Sequence, residues 1–224
     1  MAVGLGEMME EMSKVDDTAW GMYAFSRDLL RDKVKDSEKL EMIPRSIRCG
    51  YEKAEEIVNR LGTADPHKIA GHLGLKVEYL EKGQIADQIL FALFTPPDRI
   101  QIMKEPMDKA CENEDLLHMI TREQMEQLIL GHEIFHYLEE EDEAIYTRNK
   151  KIRLWKVLGF ESQSTIRALS EIAGMYFSKK LNGFSYSPFA LDILLYYNYN
   201  IEEAYKMYRE VIDCNDALKA GRQT

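Results

Sequence analysis

TREQMEQLILGHEIFHYLEE, residues 121–140, carries its apolar residues at helical spacing. Thr121 followed by Gln124 has the pattern of a capping box, so a helix begins there. Met125, Leu128, Ile129, His132, Phe135 and His136 then recur at intervals of three and four along one face. His132 and His136 lie one turn apart, about 6 Å along the axis, where two imidazoles converge on one metal ion. Glu133 completes the arrangement His132-Glu133-x-x-His136. In that pattern two neutral imidazoles bind Zn²⁺ and the glutamate serves as general base. Coordination is useful because it brings the pKa of water down to about 7. Glu133, rotated by about 100° from His132, reaches that water without occupying the metal.

A catalytic zinc needs a third protein ligand and keeps its fourth position open. The acids Glu139, Glu140, Glu141, Asp142 and Glu143 are close in sequence but poorly placed. Glu140 lies about 12 Å from His132 along the axis, too far to close a tetrahedron. This run reads as a solvated helix end, and His67, His72 and His118 read as structural or exposed. A better candidate sits in STIRALSEIAGMYFSKKLNG, Ser164 to Gly183. Ile166, Leu169, Ile172, Ala173, Tyr176, Phe177 and Leu181 give this segment a broad apolar stripe, and Gly183 stops it. Glu171 is its only carboxylate, set among Ala168, Leu169, Ile172 and Gly174. An acid in such a setting needs a partner, and a metal is one.

Outward from these two helices the pattern changes. A helix is predicted from Arg48 to Arg60 with Gly62 as its stop, and Asp65-Pro66 opens a short one ending at Gly74. Residues 75–80 (LKVEYL) and 89–103 read as strands, the latter folded by Pro96-Pro97-Asp98 into a hairpin of 89–94 and 99–103. From Asp108 onward the pattern reads as helical almost to the end. The first forty residues have helical spacing, and Tyr186 to Asp216 reads as a buried helical pair or a dimer face. The class is therefore α+β, mostly helical, with a small three-stranded sheet next to the histidine helix.

Composition narrows the function. With 29 basic against 39 acidic residues the net charge is −10, which argues against general affinity for nucleic acid or anionic membrane. No run approaches the roughly 18–20 apolar residues of a membrane span, and the acidic start does not resemble a secretion signal. Cys49, Cys111 and Cys214 are too scattered for a disulfide framework or zinc ribbon and read as reduced thiols of a cytoplasmic protein. DPHKIAGHLGLKV has the look of half a helix-turn-helix but runs into a strand-like segment, and the basic stretch 147–156 follows EEEDE and neutralises it.

With these residues in view, the chain resembles the ImmA/IrrE family of metallopeptidases. The resemblance rests on Gly131-His132-Glu133-Ile134-Phe135-His136-Tyr137, on Glu171 and Phe177 six residues apart, and on the short helix and hairpin that lead in. It covers roughly residues 48–182. It implies a zincin-like domain at 48–183, with helical extensions at 1–47 and 184–224. It also implies one Zn²⁺ on His132, His136 and Glu171, with Glu133 as catalytic base of an endopeptidase. The implied substrate is a cytosolic protein, such as the helix-turn-helix repressor of a phage or mobile element. Tyr137, Tyr146 and Tyr176 are available to steady the oxyanion, and residues 99–103 or 90–94 to hold an extended substrate. Phe135 stands where the family has glycine and is expected to narrow the cleft. Together with Ala173, Gly174 and Met175, where the downstream helix departs from the family's pattern, it motivates the alternative of a non-catalytic metal-binding module. The oligomeric state is left open.

Overall fold

The computed structural model describes residues 4–81, 84–85, 88–157 and 160–221; residues 1–3 of the amino-terminal extension lie outside them. Helix α1 (Leu5–Met12) buries Leu5, Met8 and Met12, one face at helical spacing. Asp16 accepts the Thr18 N–H at 2.8 Å and starts α2 (Asp17–Ser26), which buries Trp20, Tyr23 and Phe25. A short 3₁₀ turn leads into α3 (Asp36–Leu61), which ends on Gly62 as predicted. It starts twelve residues before the predicted Arg48 and passes through Pro44, so position 47 is mid-helix.

Asp65 accepts the His67 N–H at 2.9 Å and Pro66 opens α4 (Pro66–His72). Then come β1 (Lys76–Leu80), the two-residue pair β2 (Gln84–Ile85) and β3 (Gln88–Ile89), β4 (Ala92–Thr95) and β5 (Arg99–Met103). The three-stranded sheet has the order β1-β5-β4, with β1 parallel and β4 antiparallel to β5. Of the two segments expected to offer an edge to substrate, Arg99–Met103 is therefore the central strand. Only β4 is an edge.

Next in order are α5 (Lys104–Cys111), α6 (Glu114–Leu117), α7 (Arg122–Glu141) and α8 (Tyr146–Asn149). The chain is not helical from there to its end. Strands β6 (Lys151–Val157) and β7 (Phe160–Thr165) form an antiparallel hairpin with an irregularity between Arg153 and Trp155. Its signal was the alternation of Lys151, Ile152, Arg153 and Leu154, a period of two beneath the basic charge. The chain closes with α9 (Arg167–Asn182), α10 (Phe189–Tyr197) and α11 (Ile201–Gly221), so the predicted carboxy-terminal helical pair is present.

Helix α9 is packed between α3 and α7. Gly50 of α3 allows one of these approaches, since a Cβ there would lie 2.2 Å from the Ala173 carbonyl oxygen. On the other side Ser178 donates to the Leu128 carbonyl of α7 at 2.7 Å. The amino-terminal helices join the same core: Trp20 stacks on Phe189, ring centroids 6.1 Å apart. Buried Asp28, just past α2, accepts N–H groups from Leu30 at 2.6 Å and from Ala168 at 2.7 Å. It thereby caps the first turn of α9. Among the described residues no helix is long and apolar enough to cross a membrane, and all three cysteines are free.

Candidate metal centre

Helix α7 begins with the capping box read from sequence, Thr121 Oγ1 accepting the Gln124 N–H at 3.2 Å and Gln124 returning the bond at 2.9 Å. Its buried surface is wider than one stripe, because Leu130, Ile134 and Leu138 are buried besides Met125, Leu128, Ile129 and Phe135. His132 and His136 point together toward α9, their Nε2 atoms 2.9 Å apart. Glu171 of α9 brings Oε2 to 3.3 Å from His132 Nε2. One ligand atom from each of the three lies within 4.8 Å of the others.

The donor set and spacing suit a divalent metal. Around a tetrahedral zinc with bonds of about 2.0–2.2 Å, neighbouring donors sit roughly 3.3 Å apart. Two nitrogens and one carboxylate oxygen leave a fourth position free. The packing around His132 is built for the ring. A Cβ on Gly174 would come within 3.0 Å of both His132 Cε1 and Nδ1, so the absence of a side chain there makes room for the imidazole. His132 Nδ1 is buried with no hydrogen-bond partner, so Nε2, the nitrogen facing the cluster, makes its polar contacts.

His136 is held from behind. Ser170 Oγ donates to Glu139 Oε2 at 2.6 Å and lies 3.2 Å from His136 Nδ1. Its single proton being committed to Glu139, the Ser170 oxygen accepts from Nδ1–H. This tautomer leaves the Nε2 lone pair free for a metal. Glu139 itself is 3.6 Å from Nδ1 and also takes the Thr147 hydroxyl. Reading the whole acidic run as a solvated helix end was thus wrong for Glu139. Its burial is created by α8 and α9, which no local pattern announces.

Electrostatics link the three candidate ligands. Burial works against the charged His132 ring, but the Glu171 carboxylate hydrogen-bonded to it more than offsets this and lifts its pKa to about 9. Burial likewise opposes the Glu171 charge, yet His132, with His136 and Arg167 behind it, holds that carboxyl far below the usual range. Arg167 Nε donates to Glu171 Oε1 at 3.0 Å. Glu171 thus presents Oε1 to Arg167 and Oε2 to the histidines.

Glu133, 8% exposed, uses Oε2 to accept the Phe94 N–H of β4 at 2.7 Å. A cavity of about 560 Å³ opens over the cluster, lined by Glu133, both histidines, Glu171, Leu90 to Phe94 and residues of α2, α10 and α11. Several expectations fail here. Phe135 does not line the cavity; it is fully buried and packs on Phe177, ring centroids 5.7 Å apart. None of Tyr137, Tyr146 and Tyr176 lines it either: Tyr137 packs on Phe94 and Tyr176 on Tyr51. Tyr23, Arg27, Asp192 and Tyr196 do line it. His67 pairs instead with Glu126 at 3.1 Å, and neither it nor His72 or His118 joins the cluster. Ser170 and the Phe94 amide, which sequence reasoning missed, carried no signal beyond Ser170 preceding Glu171.

No family model matches the chain, and neither the curated proteins nor the solved structures contain a match.

Proposed function

We propose that the chain is a zinc-dependent endopeptidase of the ImmA/IrrE kind, acting on a cytosolic regulatory protein such as a helix-turn-helix repressor of a phage or mobile element. The observation that carries this reading is the meeting of His132, His136 and Glu171 beside Glu133 and the edge of β4, inside one cavity. His132, His136 and Glu171 would hold the ion. Zinc supplies a Lewis acid that polarises a peptide carbonyl and makes water a nucleophile near neutral pH.

The chain's own residues do the rest. With Oε2 of Glu133 engaged by the Phe94 amide, Oε1 is the oxygen that takes a proton from the attacking water. Glu133 then returns that proton to the leaving nitrogen, so peptide and water yield a carboxylic acid and an amine. Strand β4 supports an extended substrate. The Phe91 carbonyl bonds to Met103 of β5, so by alternation the backbone of Ala92 and Phe94 faces away from β5. The Phe94 amide is spent on Glu133; the remaining groups are available to pair with a peptide. Tyr23, Tyr196, Arg27 and Arg167 are the cavity's donors for a developing oxyanion.

The test is zinc content and cleavage together. Wild type and Glu133→Gln should each hold about one zinc per chain, and Glu171→Ala should lose it. Glu133→Gln should cut a substrate protein about 10²–10⁴-fold more slowly than wild type. No zinc in wild type after reconstitution would overturn the reading. Zinc without cleavage of any unfolded or repressor substrate would leave a non-catalytic metal-binding module.

A further inference from the structure

The part of the cavity wall built by α10 holds a carboxylate with no hydrogen-bond or ion-pair partner among the described residues. Asp192, in the first turn of α10, lines the cavity and makes neither a hydrogen bond nor an ion pair among the described residues. The other two acids of the cavity are engaged: Glu133 by the Phe94 amide at 2.7 Å, Glu171 by Arg167 at 3.0 Å and His132 at 3.3 Å. Both cavity arginines make hydrogen bonds to other residues, although the Arg27 charge is felt by Asp192. Arg167 goes to Glu171, and Arg27 reaches the Tyr23 hydroxyl at 3.2 Å with its guanidinium over that ring. Among the cavity's described carboxylates, Asp192 alone has both oxygens free of a hydrogen bond.

An acid placed in such surroundings is costly until a cation meets it. Burial, with Glu171 adding to it and the His132 and Arg27 charges only partly opposing it, pushes the Asp192 carboxyl up to about 7. Its neighbours in the wall, Leu191, Tyr196 and Met207, offer apolar surface. That combination suits a side chain with a hydrocarbon stem and a charged head, as lysine and arginine have.

We propose that Asp192 and the apolar wall beside it form a recognition subsite for a cationic group of the substrate, next to the candidate metal centre. The inference rests on the peptidase reading for the identity of its ligand, but not for the chemistry of recognition. The cation comes from one of two sources: a lysine or arginine side chain within the substrate, or its free amino terminus.

Two arms test it. The first uses n-butylguanidinium and its neutral isostere n-butylurea as probes, binding to the zinc-loaded chain being followed by calorimetry or amide chemical shifts. The guanidinium should bind at least about tenfold more tightly, the effect of one charge-assisted hydrogen bond. Asp192→Asn, checked for zinc content and thermal midpoint, should abolish the difference. The second arm uses peptides carrying arginine or neutral citrulline at successive positions, with free or acetylated amino ends. Binding is measured on Glu133→Gln and cleavage on wild type.

A preference for arginine over citrulline that disappears in Asp192→Asn supports the side chain as the cation. A preference confined to free amino ends, and equally lost in Asp192→Asn, supports the amino terminus. Equal binding of guanidinium and urea by the wild-type chain overturns the subsite whether or not the variant folds. So does a preference that survives in Asp192→Asn. Guanidinium recognition with no peptide cut would retain the subsite and sink the peptidase reading, so the two failures are distinguishable.

Discussion

The two walls of the cavity are assembled by different routes. On one, α7 and α9 supply donors at local spacing: His132 and His136 one turn apart, and Glu171 on the helix packed against them. On the other, Tyr23 comes from α2 and Arg27 from its carboxy-terminal cap, Asp192 from α10 and Met207 from α11, so the two ends of the chain meet only in the folded protein. The first wall holds its charges in pairs, and the second leaves Asp192 unpaired. A metal site needs ligands fixed relative to one another, which helix geometry provides. A wall that sorts substrates needs shape and one free charge, and these can come from anywhere in the chain.

The largest expected effect sharpens the contrast through protons. In the metal-free chain His132, lifted from 6.5 to about 9, carries a proton at neutral pH. Zinc must displace it, so binding at pH 7 should release about one proton, and affinity should climb up to tenfold per pH unit until about pH 9. Calorimetry in buffers of different ionisation heat reads the proton count directly. Stability of the metal-free chain runs the other way. The raised His132 pKa contributes stability in full below 6.5, and that contribution fades as pH rises through about 9. Glu171, whose pKa is lowered, contributes above 4.5 and loses its share in acid. Proton uptake on zinc binding, or an affinity flat between pH 6.5 and 9, would break the assignment of this wall as the metal-binding one.

A smaller effect probes the packing that makes the first wall. In Gly174→Ala the new methyl would meet His132 Cε1 and Nδ1 at 3.0 Å and press on the ring. The imidazole is 12% exposed in its side chain, so it has little room to yield. Zinc affinity should fall by about 10–100-fold, the usual range for disturbing a ligand's support. Overpacking should cost about 1–3 kcal/mol of stability. Competition with a chromophoric chelator gives the first quantity and denaturant unfolding the second. An unchanged zinc affinity would mean that the ring's position is set elsewhere.

How much of this was legible follows the same division. The Thr121 cap, the His132–His136 turn, the Asp65-Pro66 start and the Gly183 stop each depend on residues within a few positions of one another, and each could be read. Glu171 could be singled out because it was the one carboxylate on an apolar helix. Phe135 was misread because its neighbour His136 faces the cavity; one residue of rotation turns Phe135 toward Phe177. Glu139 was misread because its burial requires Ser170 and Thr147, 31 and 8 residues away. The β6–β7 hairpin was missed because basic charge hid a short alternation. Asp192 is likewise the lone acid of an apolar helix, FALDILLYY, but no motif nearby gave it a partner to be matched with. Nothing local says that it will share a cavity with Tyr23 of α2.

The smallest expected effect asks whether the two walls are mechanically separate. Asp28 follows α2, which lines the second wall, and accepts the Ala168 N–H at 2.7 Å at the start of α9, which carries Glu171 in the first. Its other oxygen takes the Leu30 amide at 2.6 Å, so Asp28→Ala removes both acceptors and leaves two donors without them. Loss of such a cap costs about 0.5–2 kcal/mol. For a chain of 224 residues that lowers the thermal midpoint by a few degrees, about 2–4 °C per kcal/mol. Zinc affinity should change by less than about threefold, since the walls are taken as separate and Gly50 and Ser178 still fix α9 against its neighbours. Asp28→Asn, which keeps one acceptor oxygen, should fall between wild type and alanine in stability. If Asp28→Ala instead lost zinc while remaining folded by circular dichroism, α9 would owe its register to α2. The amino-terminal segment would then belong to the metal centre as much as to the wall across from it.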